Sequence, residues 1–160
     1  MGRQWRISGA LWWSAVDKPV SSVNWQTLAV GDRLPVLKLP PLTRAQLAIY
    51  CGASGDHNPV HVDSDFAREA GLGDVIAHGM LIMAWMGRCL TDHVAQSDIR
   101  SFETRFTAMT RVGDAISCEA EVAEQFMAEG EQRLRLHLRA VDQRGEIKTQ
   151  GQAVVRVPTA

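Results

Sequence analysis

Gly79 is followed by Met80-Leu81-Ile82-Met83-Ala84-Trp85-Met86, seven apolar residues in a row with no polar position among them. A helix that is apolar on every side has to be covered on every side, so this segment is expected at the centre of the fold. The residues around it carry strand signals at 34–39, 101–107, 115–123, 133–141 and 148–157. The clearest is Arg133-Leu134-Arg135-Leu136-His137-Leu138-Arg139, where alternation sets three leucines on one face. Asp142-Gln143-Arg144-Gly145 then reads as a hairpin connection to the last strand. Together these segments predict an α+β domain, one antiparallel sheet wrapped around one buried helix.

Upstream, Gly31-Asp32 marks a turn and Pro40-Pro41 closes the first strand. Thr43-Arg44-Ala45-Gln46 fits a capping box, so a helix is expected over residues 44–51, stopping at the glycines of 52–55. A second helix is expected over residues 64–70, capped by Asp63 or Ser64 and ended by Gly71. Between them Pro59 disfavours helical geometry at Asn58, and Asp56-His57-Asn58-Pro59-Val60-His61 is expected as an ordered loop.

The chain has 160 residues, 46% hydrophobic and 22% charged, enough for one domain with a core and too few for two. Its 17 Lys and Arg against 18 Asp and Glu give a net charge of −1. That balance supplies no field to draw nucleic acid or an anionic membrane. No stretch reaches the ~18–20 apolar residues of a membrane-spanning helix. Residues 7–16 follow Arg3 and Arg6 as a signal peptide would, but Ser8, Gly9 and Ser14 interrupt them. Cys51, Cys89 and Cys118 lack the spacing of a disulfide framework, which points to a reducing cytoplasmic setting. Trp5, Trp12, Trp13 and Trp25 crowd the start of the chain and only Trp85 lies further in. Residues 1–24 are read as an N-terminal extension and 25–160 as the domain.

Two places carry reactive groups. Asp56 and His61 flank Pro59, which stiffens the loop enough to aim both side chains into one cleft. A carboxylate and an imidazole so placed can share a water and divide proton removal from proton delivery. The same residues also read as turn and cap residues beside an ordinary half-buried histidine. At His78-Gly79 the apolar helix begins. A glycine lets a ligand approach the backbone, and a helix start presents unpaired N–H groups to an oxygen gaining charge. A plain glycine cap fits the same residues.

Ala53-Ser54-Gly55-Asp56-His57-Asn58-Pro59-Val60-His61-Val62-Asp63, followed by Ile76-Ala77-His78-Gly79-Met80, resembles the MaoC-like, (R)-specific enoyl-CoA hydratase family, whose motif has the form S-G-D-x-N-P-x-H with an H-G-M downstream. The similarity also takes in the Thr43 helix, Arg105-Phe106-Thr107-Ala108, Val112-Gly113-Asp114 and Ala153-Val154-Val155. The resemblance implies a single hot-dog domain and a hydratase or 3-hydroxyacyl dehydratase acting on fatty-acyl thioesters. It implies Asp56 and His61 as the groups that handle water and protons and the Gly79 N–H as the oxyanion donor. Asn58, His78, Met80, Met83 and Gly87 are expected to contact substrate. No cofactor is expected beyond the coenzyme A or acyl carrier that belongs to the substrate. A homodimer is expected, with a heterodimer with a second hot-dog chain as the alternative. A hot-dog thioesterase is the competing activity.

One position departs from the resemblance. Several short-chain hydratases carry serine eight residues after the motif glycine, where this chain has Gly87; more acyl room or a different support for Asp56 is expected there. His57, His61, Asp63 and His78 fit no tetrahedral zinc spacing, so no metal is expected. Asp56-x-Asn58 fails as a calcium loop because its sixth position is His61 rather than glycine. No phosphate-binding glycine motif occurs. Met80, Met83 and Met86 recur at helical spacing, which suits either core or the wall of an acyl tunnel. Fourteen of the 17 basic residues are Arg, and spacing does not say which of them meet coenzyme A phosphates.

Overall fold

A computed structural model describes residues 23–158 of the chain. The expected extension over residues 1–24, with Trp5, Trp12 and Trp13, lies outside the described residues except for Val23 and Asn24. Three helices, α1 (Arg44–Ser54), α2 (Ser64–Glu69) and α3 (Gly79–Thr91), precede four long strands. These are β2 (Ile99–Phe106), β3 (Ser117–Ala128), β4 (Glu131–Val141) and β5 (Ile147–Arg156), and a short β1 (Leu37–Lys38) comes before α1. All pair antiparallel in the order β1-β3-β4-β5-β2.

The inner face of the sheet follows from alternation. Cys118, Ala120 and Val122 of β3, Leu134, Leu136 and Leu138 of β4, and Ala153 and Val155 of β5 are all buried. Against them α3 sets Leu81, Ile82, Met86, Cys89 and Leu90. Burying a leucine contributes ~2 kcal/mol, and slipping β4 by one residue would turn all three leucines to solvent, so the register is strongly specified. The β4–β5 connection turns where expected, with Gly145 in the left-handed region at φ 86° and its N–H donating to the Asp142 carbonyl. This is the antiparallel sheet around a helix that the sequence predicts.

Five segments differ from expectation. The helix over 80–86 runs to Thr91 and is not covered all round: Met80 is 55% exposed and Ala84 faces solvent, because within one chain the sheet lines only one side of α3. Helix α1 continues through Gly52 to Ser54. It ends where Gly55 adopts φ 74°, since a left-handed residue rather than any glycine stops a helix. The strand over 34–39 reduces to Leu37–Lys38. Pro35 has no N–H to give, although Leu34 still donates to Ala120 on β3 and Leu39 to Ile116 just before it. Residues Pro59–His61 form one 3₁₀ turn within the expected loop. Strand β3 also runs to Ala128, past a register shift between Val122 and Glu124 that breaks the alternation.

Candidate active site

The loop between α1 and α2 is fixed by its own short polar side chains. Thr43 caps α1 in a full capping box, and Gly55 turns the chain out of the helix. The Asp56 N–H donates to Ser54 Oγ, the Asn58 N–H to Asp56 Oδ1, and the Val60 N–H to Asn58 Oδ1, each at 3.2 Å. Asn58, expected at the substrate, is thus engaged through Oδ1 as the cap of the 3₁₀ turn. Asp63 accepts from Asp65 and Phe66 to begin α2. The stretch Asp56–His61 is rigid because every reversal in it has a local acceptor.

His61 ends the turn with its ring buried. Its Nδ1 lies 2.8 Å from the Ile76 carbonyl. A carbonyl only accepts, so Nδ1 carries the proton and Nε2 of the neutral ring keeps its lone pair. That Nε2 stands 3.9 Å from Oδ2 of Asp56, whose carboxylate is about half exposed. The separation is too long for a direct hydrogen bond and short enough for one water at ~2.8 Å from each atom to join them.

His78 lies beneath this pair. It is 1% exposed, stacked on His61 with ring centroids 3.8 Å apart and planes at 27°, and met edge-on by Tyr50 at 5.0 Å. Its Nε2 donates to the Asp56 carbonyl at 3.1 Å, and its buried Nδ1 has no partner. Burial holds the His78 imidazole below its ordinary range against the Asp56 carbonyl, which favours charge, and the neighbouring His61 adds to the lowering. His78 was expected to touch substrate. Its side chain is instead packed behind the groups that face the cavity.

Gly79 starts α3, and His78 caps that helix without a side-chain hydrogen bond, so the first amides of α3 keep the unpaired character of a helix start. A cavity of about 500 Å³ opens here, lined among others by His61, Ile76, Gly79, Phe106, Met109 and Thr149. The ring of Phe106 covers Gly79 so closely that a Cβ there would meet it at 3.2 Å. A side chain at this position would have to push that ring aside by a few tenths of an ångström. Met80 is exposed, and Met83 is half-buried one turn further along α3. At Gly87 an added Cβ would stand 3.6 Å from the ring of Phe102, an ordinary contact.

Donor atoms of Asp56, His61 and His78 lie within 4.8 Å of one another. Stacked imidazoles, however, project their in-plane lone pairs side by side rather than toward one ion, and His78 Nε2 is committed to a carbonyl. The set suits proton handling better than chelation. Sequence reasoning did not find the Ile76 carbonyl, which has no residue signature. It placed Phe106 only inside a resemblance, although a bulky aromatic at the inner end of a strand was the available signal.

A family model described as MaoC like domain matches residues 14–142. The (R)-specific enoyl-CoA hydratase of Aeromonas caviae is 29% identical over 135 residues, covering 83% of this chain and 98% of that protein. The 3-hydroxybutyryl-CoA dehydratase of Methylorubrum extorquens is 33% identical over 109 residues, 66% of each. Other relatives are much longer: the chain spans 13% of the peroxisomal multifunctional enzyme type 2 of Mus musculus and 3% of the fatty acid synthase 2 of Mycosarcoma maydis. Among solved structures, the (R)-hydratase from A. caviae superposes with a TM-score of 0.71 at 28% identity, covering 83% of this chain and 99% of that one. An unliganded R-hydratase from Pseudomonas aeruginosa gives 0.71 at 26% identity, covering 86% of each. The curled sheet and α3 are therefore the hot-dog fold of these proteins. Among the described residues, no helix is long and apolar enough to cross a membrane.

Proposed function

The chain belongs to the MaoC-like dehydratase domain family, and from that premise we propose that it adds water to trans-2-enoyl-CoA to form the (3R)-hydroxyacyl thioester, or runs the reverse dehydration, in fatty-acyl metabolism. The observation that carries this reading is the placement of His61 Nε2 3.9 Å from Asp56 Oδ2, with His61 sharing a cavity wall with Gly79 at the start of α3.

Conjugation with the thioester makes C3 of the substrate electrophilic, and attack there moves charge onto the thioester oxygen. His61, with Nδ1–H donated to Ile76, offers the Nε2 lone pair to a water shared with Asp56. As the water oxygen bonds to C3, one of its protons passes to the His61–Asp56 pair. The pair then delivers that proton to C2, so the elements of water are added and the pair returns to its starting state. Meanwhile the Gly79 N–H faces the thioester oxygen as it gains charge, aided by the positive end of α3. Asp56 assists His61 and relays the C2 proton in this account; the exchanged assignment uses the same geometry. Water is added across the double bond with no net oxidation or reduction, so coenzyme A or an acyl carrier enters as the handle of the substrate and no further cofactor is called for.

We propose a homodimer as the working form. Met80, Met83 and Ala84 form an i, i+3, i+4 stripe on the uncovered side of α3, and among the described residues the outer edge of β2 has no neighbour in the sheet. A second hot-dog chain in that place is the alternative; one solved structure of this fold is a ChsH1–ChsH2 complex from Mycobacterium tuberculosis. Native mass of the purified chain separates the two. The cytoplasmic assignment rests on three buried, unpaired cysteines.

The activity is tested by supplying the full chain with crotonyl-CoA and longer enoyl-CoAs while following the enoyl absorbance and free thiol separately. Loss of enoyl absorbance without thiol release is expected, with a (3R)-hydroxy product. Thiol release with the enoyl group intact would replace the proposal with a thioesterase.

A further inference from the structure

His78 is a polar residue in a place where a polar residue is costly. One nitrogen of its ring is buried without a partner, a defect that phenylalanine of similar volume would avoid. The other nitrogen accounts for its presence. Nε2–H reaches the backbone carbonyl of Asp56, 22 residues away in sequence, at 3.1 Å. The face of the same ring carries His61 at 3.8 Å, and its edge is wedged by Tyr50 of α1. The two groups that must share one water are therefore referred to a single buried ring, which is itself the N-cap of α3 and so continuous with the Gly79 amide.

We propose that His78 is a positioning residue that sets the Asp56 to His61 spacing and ties both to the start of α3, acting through its Nε2–H and its stacked face and never touching substrate. This rests on the hydratase reading of the same site. Burial disfavours the charged form of the ring, which suits its stacking on His61.

Three variants separate the parts. His78→Phe keeps the stacked face and removes the donor, His78→Gln keeps a donor near the Nε2 position and removes the face, and His78→Ala removes both. Each is assayed in the full chain on an enoyl-CoA that the wild type hydrates. Phe and Gln are expected to lower kcat by ~10–100-fold, as misplacement by about an ångström does, with KM changed less than about twofold. Ala is expected to be worse than either. Unchanged kcat per folded molecule in His78→Phe and His78→Gln would overturn the proposal, as would a loss of activity that only tracks the folded fraction. Should the variants fail to fold, the ¹⁵N ring spectrum of the wild type decides. A His78 ring protonated at Nε2 supports the role, and a ring protonated only at Nδ1 contradicts it. The spectrum is read whether or not the wild type hydrates any enoyl thioester, so failure of the functional reading remains distinguishable from failure of this one.

Discussion

The ring of Phe106 lies against the Cα of Gly79, so that any side chain at position 79 begins 3.2 Å from an aromatic carbon. The contact joins the inner end of β2 to the first residue of α3 and forms one wall of the cavity beside His61.

Gly79→Ala is therefore expected to leave the fold intact and to damage the site. Phe106 is 49% exposed and can swing aside by a few tenths of an ångström, but the movement shifts the cavity wall next to the helix amide. A fall in kcat/KM of about tenfold is expected, with melting temperature nearly unchanged. Gly79→Ala with Phe106→Leu should recover part of the loss, and no recovery would mean that the methyl group acts on substrate directly.

Gly151 presents a harder limit. A Cβ there would sit 2.0 Å from the backbone oxygen of Glu103, and a backbone atom in a paired strand has no rotamer to change. Gly151→Ala is expected to cost roughly 3 kcal/mol or to force β2 away from β5. Urea unfolding measures the first, and loss of activity at preserved helix content reports the second.

Lys148 is buried at 2% exposure among Asp114, Asp142 and Glu146. Its backbone carbonyl holds the amides of Thr107 and Ala108 on the cavity wall. Burial opposes the ammonium charge, but the hydrogen bonds to Glu146 and Asp142 outweigh it, and the Lys148 group titrates above its ordinary value. Burial likewise opposes the Asp142 carboxylate, and the Arg144 guanidinium with the amides of Glu146 and Arg144 overcomes it, holding Asp142 below the carboxylate range. The signs follow. The Asp142 contribution is complete above pH ~4 and is lost as pH falls further; the Lys148 contribution is complete below pH ~10.5 and is lost as pH rises through its raised value. Lys148→Met should lower stability near pH 7 by roughly 3 kcal/mol, the scale of an orphaned buried charge, and should remove the Lys148 share of the alkaline loss, leaving that of the buried Cys89 and Cys118 thiols, which burial also pushes up. Urea midpoints from pH 3 to 11 give both; an unchanged profile would show the cluster to be energetically silent.

Much of this arrangement was legible in the residues. The capping box at Thr43, the alternation in β4 and the glycine-bounded turns gave element positions because each depends on neighbours a few residues apart. Asp56 and His61 were legible as a pair because the loop between them is organised by its own Asx bonds. What lay beyond reach was long-range. The Ile76 carbonyl that fixes the His61 tautomer, the ring of Phe106 on Gly79 and the burial of His78 beneath His61 all depend on segments that meet only when the sheet curls. The apolar run of α3 misled on one point for the same reason: an apolar side chain does not say whether its cover comes from its own chain.

The proposed hydration rests on Asp56 and His61 together activating water beside the Gly79 amide. Its most direct test is the turnover of enoyl-CoA by purified Asp56→Asn and His61→Ala chains, each first shown to be folded. A fall in kcat of ~10²–10⁴-fold is expected in each. Wild-type turnover in both variants would contradict it.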